Sequence, residues 1–149
     1  MKIGVEAFIL KNEKLLLGLR KNAYGEGSCG LPGGHIERKE SLSNGLKREL
    51  FEELGVEVKS MFLKVTNLQI QPKKIGGSYI HFGFQIIIKN KDIKQIALKN
   101  TKEPHKCQEW KFFDINKLNE TNIFFGHQEE IRAYLKNRFF IFSIKKHEK

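Results

Sequence analysis

The sequence predicts an α/β (α+β) fold in which a mixed sheet is covered by helices. Three observations predict it. Stretches rich in β-branched and aromatic residues recur along the chain. Two other stretches space their apolar residues for one face of a helix. The chain has 149 residues, 40% hydrophobic and 11% aromatic, which is enough to bury one core and so to make 1–149 a single domain.

Residues 2–10 (KIGVEAFIL) mix small, β-branched and apolar side chains and read as a strand. Lys11 to Lys14 is a turn, and Leu15–Leu19 is a second strand, so the two make a hairpin. Residues 21–35 form a glycine-rich loop containing Pro32. A helix follows. Ser41 can cap it, Leu42, Leu46 and Leu50 recur at i, i+4 and i+8, and Gly55 is a C-terminal stop. Residues 57–70 and 78–89 read as strands joined by a turn over Lys73–Gly77. Trp110–Phe113 is a short strand after a loop carrying Pro104. From Gly126, Ile131 and Leu135 with charged residues between them predict a second helix. Phe139–Ile144 is a last strand or a packed tail. Its apolar run is expected to be buried against the body or against another subunit, which allows a homodimer.

The formal net charge is +10. That balance suits polyanionic partners such as nucleotides, nucleic acid or a membrane surface, and it also serves solubility. The longest apolar run, Phe139–Phe142, is far short of the ~18 residues a membrane span requires. Gly4, Glu6, Lys11, Asn12 and Glu13 interrupt any signal-peptide core. Cys29 and Cys107 make no disulfide scaffold and read as reduced thiols, so a cytoplasmic protein is expected.

The chemistry concentrates in Gly34 to Val56, GHIERKESLSNGLKRELFEELGV. Glu49, Glu52 and Glu53 fall within one turn of the helix and share a side, with Glu49 beside Leu50 at the edge between core and solvent. Like charges at this spacing cost a few tenths of a kcal/mol, roughly, per pair. A divalent cation offsets that repulsion, and oxygen ligands suit Mg²⁺. Arg48 adds a cation beside the cluster. The helix alone also fits an ordinary charged surface. The preceding Leu31-Pro32-Gly33-Gly34 favours the site, because two glycines let backbone carbonyls approach a ligand or metal closely.

The segment fits G-x5-E-x7-R-E-U-x-E-E-x-G-U, with U apolar, at every fixed position: Gly34, Glu40, Arg48-Glu49-Leu50, Glu52-Glu53 and Gly55-Val56. On these residues the chain resembles the Nudix hydrolases over roughly residues 2–138. The resemblance implies a Nudix-type α/β/α sandwich and hydrolysis of a nucleoside diphosphate linked to a further group. It implies Mg²⁺ (or Mn²⁺) held by Glu49, Glu52, Glu53 and the Gly33 carbonyl, with Arg48 positioning Glu49 and Glu40 contributing secondarily. Metal-assisted attack of water on phosphorus needs a proton acceptor, and Glu103 and Glu109 in the loop before Trp110 are candidates. Two positions depart from the family pattern. Lys39 stands where a glycine usually precedes Glu40, and Gly45 lies inside the helix, where it costs about 0.5–1 kcal/mol.

Outside the box, LLGLRK at 16–21, the loop Gly25–His35, Glu103–Cys107, Trp110 and Phe124–Gly126 resemble the MutT-like branch, which releases pyrophosphate from nucleoside triphosphates. That resemblance implies Arg20 on phosphate, Gly34 and His35 on the substrate side, and Phe125, Gly126 and His127 near the base. Trp110, alone at the start of a strand, reads as core. Cys29 replaces an aromatic residue common in that branch. ADP-ribose, dinucleoside polyphosphates, nucleotide sugars and capped RNA are alternative substrates. A small-molecule nucleotide is the expected partner and a membrane is not. A non-catalytic nucleotide- or RNA-binding module is the reading from another class. Against it, three crowded carboxylates repel phosphate unless a metal is present.

Overall fold

The computed structural model describes residues 1–21, 26–73, 76–96 and 107–144. Its elements are β1 (Lys2–Phe8), β2 (Leu10–Lys11), β3 (Lys14–Arg20), β4 (Cys29–Gly30), β5 (Gly33–His35), α1 (Leu42–Leu54), β6 (Val58–Ile70), β7 (Tyr79–Ile88), α2 (Asn90–Ile96), β8 (Cys107–Asp114), a short 3-10 helix (Ile115–Glu120), α3 (Phe125–Leu135) and β9 (Phe140–Ile144). No described helix is long and apolar enough to cross a membrane.

The strands form two sheets where the sequence reading expected one. The first runs β5-β1-β7-β6-β9 and is mixed: β1 lies parallel to β7 and β6 parallel to β9, while β1–β5 and β6–β7 are antiparallel. The second centres on β3, with β2 and β4 along one edge and β8 along the other. Residues 2–10 read as a single strand, but they divide between the sheets. Val5 and Ala7 pair within the first, and Leu10 pairs with Leu15 in the second. Asn12 and Glu13, both at positive φ, close that hairpin with a turn whose twist matches its strands.

Both faces of β1 are covered. Val5, Ala7 and Ile9 pack with Leu46, Leu50 and Leu54 of α1 and with Phe84, Ile86 and Ile88. Phe8 packs on the opposite side with Leu15, Leu17, Val65, Ile131 and Ala133. The first sheet therefore lies between α1 and α3, the sandwich the sequence predicts. The Leu42/Leu46/Leu50 stripe is the buried side of α1. Trp110 packs against the first cluster, as a core residue.

α2 was not anticipated. Only Ile93 and Ile96 lie one turn apart among polar residues, too short a pattern to stand out, yet both pack on the core. Of the segment Phe139–Ile144, Phe140–Ile144 forms an edge strand, β9, parallel to β6. Ile141 turns inward, while Phe139, Phe140 and Phe142 are 56%, 58% and 54% exposed. The run is thus not buried against the body of the chain.

The structure accounts for both departures from the family pattern. Lys39 adopts φ +64°, so it keeps the left-handed turn a glycine would adopt without strain. Gly45 sits under the loop before α1. A β-carbon there would collide with Ile36 Cδ1 and lie 2.9 Å from Glu40 Oε2. The weaker helix former is the one that lets the loop close.

Candidate active site

α1 begins where Ser41 accepts a hydrogen bond from the Asn44 N–H at 3.1 Å, and ends at Gly55, whose φ of +67° lets its N–H reach the Phe51 carbonyl. Between these caps the buried leucines fix the rotation of the helix, and its glutamates face the segment Gly33–Glu40.

Arg48 organises the cluster. Its Nε and Nη2 donate to Glu40 Oε1 and Oε2 at 2.8 and 3.0 Å, a two-pronged pair. Nη1 donates to Glu49 Oε1 at 2.9 Å and to Glu52 Oε2 at 3.4 Å. Nη2 also donates to the His35 carbonyl at 3.1 Å, which ties α1 to β5. Glu53 is held differently, accepting the Gly33 N–H at Oε2 at 3.0 Å. Gly34 lies against the Glu49 carboxylate, and a β-carbon there would collide with it. Arg48, Glu49, Glu52, Glu53, Gly33, Gly34 and His35 are thus brought together. Arg48, which the resemblance implies positions Glu49, hydrogen-bonds that carboxylate directly.

The Arg48 hydrogen bonds, with a further one from the Glu37 N–H, depress Glu40 from an ordinary 4.5 to about 2. Glu40 and Glu49 in turn raise Arg48. A depressed carboxyl stabilises the fold above its unfolded pKa, and that contribution disappears as pH falls through the folded value. The melting temperature is therefore expected to fall between about pH 4.5 and pH 2, and to fall less steeply in Glu40→Gln. Thermal melts across that range check this; parallel curves would show that the pair adds nothing to stability.

Arg20 lies elsewhere, on β3. Its guanidinium stacks over the Phe124 ring at 4.0 Å, and its Cδ flanks Gly30. Gly126 is the second residue of α3, and its carbonyl accepts from Gln69 Nε2 at 3.4 Å. The backbone of Phe125 is in the first turn of α3. Glu109 is exposed on β8, in the second sheet rather than on α1, and adds to the burial that raises the Cys29 thiol. Glu103 lies outside the described residues. His127 does not face outward toward a base. It is buried, and its Nδ1 accepts the Leu31 N–H at 2.9 Å, fixing the strand-loop segment two residues before Gly33. Burial lowers its pKa to about 4, so it stays neutral and remains an acceptor.

Behind that segment lies a polar cluster the sequence reading did not single out: Glu6 on β1, His81 on β7 and Glu130 on α3. Glu6 Oε1 accepts from His81 Nδ1 at 2.7 Å. Burial, the largest influence, pulls Glu6 upward, but the charge and hydrogen bond of His81, with smaller contributions from His127 and Glu130, together outweigh it and the net shift is down. His81 is raised, since Glu6 outweighs its burial. Burial and the Glu6 carboxylate raise Glu130 well above the usual range. The available signal was Glu6 itself, a carboxylate within a strand whose neighbours are all apolar or small.

The sequence model of the NUDIX domain matches residues 2–134. The ADP-ribose pyrophosphatase of Methanocaldococcus jannaschii is 30% identical over 136 residues, covering 90% of this chain and 73% of that protein. The oxidized purine nucleoside triphosphate hydrolase of Mus musculus is 36% identical over 53 residues, covering 36% of this chain and 34% of that protein. Among solved structures, a MutT NUDIX hydrolase from Burkholderia pseudomallei superposes with a TM-score of 0.74 at 21% identity, covering 88% of this chain and 95% of that one.

Proposed function

The chain belongs to the NUDIX domain family, and from that membership we propose that residues 1–149 act as one Mg²⁺- or Mn²⁺-dependent hydrolase domain that cuts nucleoside triphosphates between the α and β phosphates, releasing a monophosphate and pyrophosphate. One observation carries the reading. Glu40, Glu49 and Glu52 share the single cation Arg48, and Glu53 adds a fourth carboxylate anchored on Gly33. That is an excess of anion where a phosphate must approach. The donor set is all oxygen, which fits a hard dication. When bound there, such an ion neutralises phosphate oxygens and acidifies water. The chain's own residues do the rest. Arg48 sets the rotamers of Glu49 and Glu52. The Gly33 N–H fixes Glu53. Glu103 and Glu109 are the proposed acceptors of the water's proton outside the cluster.

The triphosphate preference rests on Arg20, a fixed cation on Phe124 beside Gly30, which suits a polyphosphate tail better than a neutral sugar. The second reading, ADP-ribose, is favoured by the long match to the M. jannaschii protein. A panel with Mg²⁺ separates them: dNTPs, NTPs, ADP-ribose, a diadenosine polyphosphate and a capped RNA at equal concentration, with products identified. Triphosphates should be favoured, and turnover should stop in EDTA. A tenfold preference for ADP-ribose, about 1.4 kcal/mol in transition-state binding, would overturn the substrate assignment and leave the family assignment intact.

A further inference from the structure

We propose a second metal site in this chain, for a zinc-class first-row dication, built from Glu6, His81 and Glu130. It lies on the α3 side of the first sheet, where Glu6 shares a face of β1 with Phe8, and it is independent of the α1 carboxylates and of the hydrolytic reading above.

The geometry brings together three donors from three elements. His81 Nδ1 stands 2.7 Å from Glu6 Oε1 and 3.6 Å from Glu130 Oε1, and the three donor atoms all lie within 4.8 Å of one another. Ligands about 2.0–2.2 Å from a tetrahedral ion are about 3.3–3.5 Å apart, so small side-chain shifts suffice to seat one. A cluster of this kind could be no more than an ion pair. The unpartnered atoms around it argue otherwise. Glu130 is 0% exposed, yet among the described residues neither of its carboxylate oxygens makes a hydrogen bond of good geometry; Glu6 Oε2 is in the same state. Both amide atoms of Asn67, which is fully buried and sits in register with His81 on the adjacent strand, likewise lack a hydrogen bond of good geometry among the described residues. Buried polar atoms are nearly always satisfied, and this group has several that point to a missing partner.

The donor set narrows that partner. One imidazole nitrogen with two carboxylates suits zinc-class ions better than Mg²⁺. Because His127 Nδ1 accepts the Leu31 N–H, its Nε2 carries the hydrogen, 3.9 Å from Glu6 Oε1, so His127 lines the cluster without being a ligand. Entry is through His81, whose side chain is 12% exposed and stacks on Tyr79 at 5.4 Å, itself beside the exposed His35 at 5.8 Å.

The test uses Zn²⁺ alone and a full-length chain carrying Glu52→Gln and Glu53→Gln, which weakens the α1 set. Calorimetric titration should find about one Zn²⁺ per chain, bound at least tenfold more weakly when Glu130→Gln or His81→Gln is added. X-ray absorption on the zinc-loaded Glu52→Gln/Glu53→Gln chain needs no further substitution and should show one imidazole with oxygen neighbours. The proposal is overturned if that chain binds no Zn²⁺, if neither added substitution weakens binding, or if the absorption shows sulfur or several imidazoles.

Discussion

Glu52→Gln is expected to lower kcat by about 100-fold or more while leaving the metal-free fold intact or slightly firmer. Positioning a dication on a phosphoryl group supplies several kcal/mol, roughly, of transition-state stabilisation, and each tenfold in rate is about 1.36 kcal/mol. Glu52 isolates that contribution. Its side chain is 44% exposed against 13% for Glu49, and its hydrogen bond is the longest that Arg48 donates, at 3.4 Å. Removing its charge relieves repulsion from Glu49 and Glu53, so the apo melting temperature should hold or rise. Steady-state kinetics at several Mg²⁺ concentrations, paired with melting in EDTA, checks this. Unchanged kinetics with a lower melting temperature would make the carboxylates a structural device.

Gly33→Ala should have the largest effect on stability. Gly33 has φ +148° and pairs with Glu6 across the β1–β5 ladder. A β-carbon there would land on the Val5 carbonyl oxygen and lie 2.8 Å from the Glu6 Cα, so backbone must move on both strands. Overpacking and forced dihedrals together should cost about 3 kcal/mol or more, or about 6–12 °C in melting temperature. The displacement also moves the N–H that holds Glu53, so the protein that does fold should be a poor enzyme. A variant melting within a degree or two of the parent would show that the two strands can part at no cost.

The parts legible in the sequence are those whose causes are local. α1 is specified by a serine cap, a leucine stripe and a glycine stop, all within fifteen residues, and the structure has each in place. Glu49, Glu52 and Glu53 were readable because spacing on one helix fixes their relative directions. What was lost depends on contacts far apart in sequence. The division of residues 2–10 between two sheets is set by β7 and β3, not by the residues themselves. The inward turn of His127 depends on Leu31, 96 positions earlier. Glu6, His81 and Glu130 come from three elements, and no spacing rule links them.

The central pairing of β1 with β7 has a consequence for how the molecule is made. Lys2 aligns with Tyr79 and Phe8 with Gln85, so β1 leaves the ribosome 77 residues ahead of the parallel partner it must pair with. Such remote closure is entropically slow. During that wait Val5, Ala7, Phe8 and Ile9, all destined for the interior, are open to solvent and to other chains. The whole segment bearing Gly33 to Glu53 lies inside the loop that this pairing closes. Acquisition of activity during synthesis should therefore be late and abrupt, and chains truncated before β7 should be held by chaperones or aggregate rather than show partial turnover.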